Sequence, residues 1–129
     1  MEASRLSEID LFDGMSDDDL AACAEWFDER EFPAGKSPVK QGDFSYRFFI
    51  VLDGEVEVRR DFELLARLGP GDFFGEMGVT EGALRSARVT PITHCTLASM
   101  MTWNYREMAD RFPAVSNRIE QKIAERASP

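Results

Sequence analysis

Between Arg30 and Ala98 the chain never runs far without a turn signal, and that limits its fold more than any other feature. Pro33-Ala34-Gly35, Gln41-Gly42-Asp43, Asp53-Gly54, Gly69-Pro70-Gly71-Asp72 and Pro91 punctuate it. Glycine supplies positive φ, proline fixes φ, and Asn or Asp bonds to its own backbone, so these clusters read as turns. The stretches between them are short and of β type. Phe48-Phe49-Ile50-Val51-Leu52 is a continuous apolar run, the pattern of a strand buried on both faces. Glu55 to Arg59 alternates, which predicts one buried and one wet face. Asp53-Gly54 between these two runs is a hairpin signal. Further strands are expected at Glu31-Phe32, at Leu64 to Leu68, around Ala87 and Val89, and at Cys95 to Ala98. Many short strands with Gly and Pro between them predict a sandwich or barrel in which strands double back.

Helices flank this region. Leu6, Ile9, Leu11 and Phe12 give the N-terminal stretch an apolar side, and Gly14 ends it. Ser16 followed by Asp19 is a variant capping box. It opens a helix expected to run to about Asp28, with Leu20, Cys23, Ala24 and Phe27 at helical spacing. Asp17, Asp18 and Asp19 suit the positive end of the helix dipole, and the later Gly and Glu of a calcium loop are missing. Near the other end, Thr102 is expected to cap a helix from about Trp103 to Asp110. Pro113 is expected to open a last helix with Val115, Ile119 and Ile123 inward. Met100, Met101 and Trp103 are expected to pack these helices onto the strands.

The chain of 129 residues reads as one domain (1–129), with helices at 1–28, strands at 30–100 and C-terminal helices at 102–126. Its net charge of −9 works against nucleic-acid phosphate and anionic membrane as partners. Cys23 and Cys95 each fall in an apolar pattern and read as small buried hydrophobes. One histidine, His94, and no Cys-x-x-Cys pair argue against a zinc site. No secretory or membrane-spanning pattern appears, so the expected location is the cytoplasm. No nucleophile–base set is visible, and His94 and Cys95, as strand neighbours, point to opposite faces. The expectation is a binding protein without metal or cofactor, not an enzyme.

The chemistry concentrates in Gly71-Asp72-Phe73-Phe74-Gly75-Glu76-Met77-Gly78, followed by Leu84-Arg85-Ser86-Ala87. Closely spaced glycines let backbone N–H groups converge on an anion. A helix starting near Glu76 would add its N-terminal dipole. Arg85 offers a two-pronged donor to a phosphate. Glu76 would repel a phosphate but can accept from a sugar hydroxyl. Ser86 can reach a phosphate oxygen, or the 2-amino group of a syn guanine. Phosphate on Arg85 and ribose on Glu76 make a nucleotide-sized arrangement. A Rossmann reading fails on the Gly69–Gly71–Gly75 spacing and the missing downstream acid.

These residues resemble the cyclic nucleotide-binding domain family. Phe74-Gly75-Glu76-Met77-Gly78 is similar to its phosphate-binding cassette, and Arg85-Ser86-Ala87 follows nine residues after Glu76. The resemblance covers about Leu11 to Arg126 and is closest to the bacterial catabolite-activator and kinase regulatory-subunit type, as a stand-alone member without a DNA-binding domain. Leu84 stands where many members have Pro. The resemblance implies a mainly β fold, an eight-stranded jelly roll with N-terminal helices and two short C-terminal helices. It implies a ligand site of Gly75, Glu76, Met77, Gly78, Arg85 and Ser86, with cAMP favoured over cGMP. It implies a sensor whose ligand shifts the C-terminal helices, acting on an unidentified effector protein as monomer or homodimer. The alternative it leaves open is a degenerate member, an interaction module without nucleotide. No lid over the base is evident near the C-terminus.

Overall fold

The computed structural model describes residues 1–37, 47–75 and 88–127. Helix α1 spans Ala3–Ser7, a 3-10 turn Asp10–Phe12, and α2 Asp17–Ala24. Strands follow as β1 (Asp28–Phe32), β2 (Arg47–Asp53), β3 (Val56–Arg60), β4 (Glu63–Leu68), β5 (Phe73–Phe74), β6 (Arg88–Pro91) and β7 (Cys95–Met101). Helices α3 (Thr102–Arg111) and α4 (Pro113–Ala127) close the chain. The strands form two antiparallel sheets, ordered β1-β7-β2-β5 and β4-β3-β6. This is the expected mainly β roll with flanking helices. The eighth strand expected from the resemblance has no counterpart among the described residues.

The four-stranded sheet has apolar cover on both sides, and strand alternation sorts its residues between them. Phe48, Ile50, Phe73, Ala98 and Met100 pack against the helices with Leu6, Phe12, Phe27, Tyr105, Met108, Val115 and Ile119. Phe49, Val51, Phe74, Cys95 and Leu97 face the other sheet, where Val56, Leu68 and Val89 meet them. The continuous apolar run of β2 therefore serves two cores at once, which is why it does not alternate.

Several local expectations hold. The Ser16 hydroxyl accepts from the Asp19 N–H at 3.1 Å, capping α2. Val115 and Ile119 are fully buried on α4. Both cysteines are free and buried. Burial pushes the Cys23 thiol up to about 11, against the opposing influence of Arg111, so it stays protonated at neutral pH.

Four local expectations are corrected. Asp53-Gly54 is not a hairpin: β2 and β3 lie in different sheets. The pair forms the corner between them, and Gly54 is required there for space as well as for its φ of +92°. A β-carbon on Gly54 would meet the His94 carbonyl oxygen at 2.4 Å and Cys95 Sγ at 2.7 Å. The tight hairpin is instead β3–β4. Arg60 pairs with Glu63 across Asp61 and Phe62, at φ 51° and 71°, the double left-handed pattern of a type I′ turn without its usual glycine. Helix α2 ends at Ala24, not near Asp28. Trp26 and Phe27 then donate three residues back in a tight turn, and Asp28 opens β1 opposite Ser99. Phe27 keeps helical spacing only because that turn buries it against Phe12, edge to face at 6.1 Å. Thr102 is not the cap of α3. β7 passes directly into the helix, so Met101 takes the cap position and Thr102 is buried in the first turn. Trp103 is 55% exposed instead of packed, because Tyr105 and Met108 hold the inner face.

Candidate functional site

The turn before the cassette is fastened to β2. The Gly71 N–H donates to the Val51 carbonyl at 2.8 Å, and the Val51 N–H donates to the Asp72 carbonyl at 2.8 Å. The Asp72 carboxylate accepts from the Gly69 N–H at 3.0 Å, closing the turn on itself. Gly71 has φ of +91°, which only glycine adopts without strain. Phe73 and Phe74 then pair with Ile50 and Phe49 as β5. The two rings part: Phe73 goes to the helix-side core and Phe74 to the space between the sheets. Phe74 stacks on Phe49 with centroids 4.9 Å apart and planes 17° from parallel.

Gly75 follows directly, buried and at φ of +92°. It is the one predicted site residue that the structure describes. Glu76, Met77, Gly78, Arg85 and Ser86 lie outside the described residues. The segment after Gly75 returns as β6, where Arg88 pairs with Arg59 and Val89 with Val58. The cassette thus leaves one sheet and rejoins the other. Its far flank is held from outside, where the Ser37 hydroxyl donates to the Val89 carbonyl and the Gly35 N–H donates to the Pro91 carbonyl at 2.9 Å.

One residue beside this opening was not singled out from sequence. Arg47 heads β2 and, by alternation, shares the inner face with Phe49. Its Nη1 donates at 2.9 Å to Oγ of Ser99, which is fully buried. The available signal was a cation at the head of an otherwise apolar run.

A cavity of about 270 Å³ lies elsewhere, framed by α1, the 3-10 turn, β2 and Lys122 of α4. Glu8, Asp10, Asp53 and Asp72 line it against two cations, Arg5 and Lys122. Arg5 is already engaged with Asp53 at 3.1 Å and Glu29 at 3.2 Å. Such a lining is unfavourable to a phosphate. No helix among the described residues is long and apolar enough to cross a membrane.

A domain family described as the cyclic nucleotide-binding domain matches residues 29–111. The cyclic AMP receptor protein of Thermus thermophilus is 29% identical over 121 residues, covering 90% of this chain and 56% of that protein. The cAMP-dependent protein kinase regulatory subunit of Mycosarcoma maydis is 32% identical over 88 residues, covering 65% of this chain and 17% of that protein. The chain therefore spans about half the length of the first relative and a smaller part of the second. The crystal structure of the Thermus thermophilus catabolite activator protein superposes with a TM-score of 0.81 at 29% identity, over 90% of this chain and 57% of that one.

Proposed function

The chain belongs to the cyclic nucleotide-binding domain family, and on that premise we propose that it is a receptor for a cyclic nucleotide, cAMP in preference to cGMP. The observation that carries the reading is the buried, left-handed Gly75 at the end of β5, with Glu76-Met77-Gly78 and then Arg85-Ser86 next in sequence. In this reading Arg85 neutralises the cyclic phosphate and Ser86 assists. Backbone N–H groups from Gly75 to Gly78 complete the phosphate cradle. Glu76 accepts from the ribose 2′-hydroxyl. The ligand adds an anion beside the apolar cluster of Phe49, Phe74, Val58 and Val89, where charge-assisted bonds are strong. The printed names of the two relatives, each a cAMP-responsive protein, support cAMP as the ligand.

Output follows as a population shift of the C-terminal helices. An aromatic path supports it. The Phe73 ring lies 5.6 Å from Phe48, which lies 5.2 Å from Tyr105 of α3. Helix α4 is tied to the N-terminal turn, with Arg118 Nη1 donating to the Leu11 carbonyl at 2.9 Å and the Asp13 carbonyl at 2.8 Å. Pressure on β5 therefore bears on a helical layer joined across both chain ends. The partner is an effector protein in the cytoplasm, and the acidic charge disfavours nucleic acid.

Calorimetric titration with cAMP and cGMP tests the reading. Micromolar or tighter cAMP binding is expected, with Arg85→Ala losing two charge-assisted bonds, roughly 3 kcal/mol or more. Equal affinity in Arg85→Ala would remove the site assignment. No binding by the wild type would favour a degenerate, nucleotide-free interaction module, the reading that Leu84 at the usual proline position permits.

A further inference from the structure

Phe62 gains little from its own chain. Its ring is exposed over nearly all its surface, and its φ of 71° is one that a bulky side chain adopts only under constraint. Asparagine or glycine would occupy the position without either cost. A strained, wet aromatic ring at a hairpin tip points to a contact outside the chain. The charges behind it say what kind. Arg59 donates to the Phe62 carbonyl at 3.1 Å and to Glu57 at 3.1 Å. Arg67 reaches the same carboxylate at 3.8 Å, so two guanidinium groups share one anion. Arg88 adds a third opposite Arg59. The tip is an aromatic ring backed by positive charge.

Its complement lies on the other side of the molecule. Residues 1–31 hold 11 acidic and two basic side chains, which is the whole net charge of −9. The cavity of about 270 Å³ opens against that layer, with Ile9, Leu52 and Pro70 as apolar lining and Glu8, Asp10 and Asp72 as acidic lining. Arg5 is held by Asp53 and Glu29, and Lys122 offsets only part of the remaining acid. A cavity of roughly 150 Å³ already takes a benzene ring, so there is room for one phenylalanine side chain. The chain cannot fill its own cavity. Asp53 lines it before the start of β3, and Phe62 lies past the end of that five-residue strand, roughly 16 Å on at 3.3 Å per residue. We infer that the β3–β4 hairpin tip of one copy docks in this cavity of a second copy, Phe62 on the apolar lining and Arg59 and Arg67 toward the carboxylates. Every copy carries both parts, so the contact is made twice in a closed twofold pair. This association does not depend on nucleotide binding.

Sedimentation equilibrium of the full chain, over a range of concentrations and without nucleotide, is the test. The wild type should pass from monomer to dimer, and added salt should weaken the dimer because the charges involved are exposed. Phe62→Gly should weaken association by about tenfold or more, the effect of burying one aromatic side chain. Glycine suits the left-handed position, so melts at dilution should show this variant no less stable than the wild type. Glu8→Lys with Asp10→Lys should weaken association from the cavity side. Mixing the tip variant with the cavity variant should restore association, because one intact tip then meets one intact cavity. A wild type that stays monomeric at every concentration overturns the inference. So does a dimer indifferent to Phe62→Gly. A dimer that loses strength in Phe62→Gly but not in the cavity variant means that two tips meet each other, and overturns it as well.

Discussion

The two sheets are both antiparallel, yet they are buried very differently. In the β1-β7-β2-β5 sheet the central strands are covered on both faces, and every residue from Phe48 to Val51 is buried. In the β4-β3-β6 sheet only one face is covered. Strand β4 exposes everything except Leu68, and Phe62 at the hairpin tip is 97% exposed. The difference separates two jobs. The covered sheet packs the cassette's first strand against the helices through Phe73, Phe48 and Tyr105. The open sheet acts as a cover whose outer surface is under little packing constraint.

Three substitutions break or sharpen that contrast. Phe48→Ala removes the ring between Phe73 and Tyr105 and should destabilise by about 3–5 kcal/mol in urea unfolding. A loss below about 1 kcal/mol would mean that the helix-side core does not carry the fold. Gly54→Ala strikes the corner where the chain passes between the sheets, forcing a β-carbon against the His94 carbonyl at positive φ. It should cost about 2–4 kcal/mol, read as a lowered denaturation midpoint. At the tip of the open sheet the sign reverses. Replacing Asp61-Phe62 by Asn-Gly, the pair preferred at two consecutive left-handed positions, should stabilise by about 0.5–1 kcal/mol, seen as a raised melting temperature.

The same contrast governs what could be read from sequence. Strand β2, buried on both faces, announces itself as a continuous apolar run, and the flanking helices follow from spacing and a serine cap. Pairing does not. Asp53-Gly54 carries a hairpin signature, but a close backbone approach by His94 and Cys95 chose glycine there, and nothing local reports a contact forty residues away. The true hairpin at Asp61-Phe62 lacks glycine, because register on both sides imposes its left-handed backbone. Of the candidate site, the family pattern pointed to Gly75, which ends β5 at positive φ, while Glu76 and Arg85 lie outside the described residues. Arg47 was not legible, since only the pairing of β2 with β7 brings it to Ser99.

Strand β7 lies between β1 and β2, with Ser99 opposite both Asp28 and Phe49. During synthesis, β1 and β2 must therefore wait for a strand made about seventy residues after the first of them. Until it emerges, Phe48 to Val51 have no finished surface to pack on, and closing such distant pairs is slow. Through that interval the apolar run is open to aggregation. A truncation that stops short of Cys95 should therefore give no partly folded sheet, only an unpaired apolar strand.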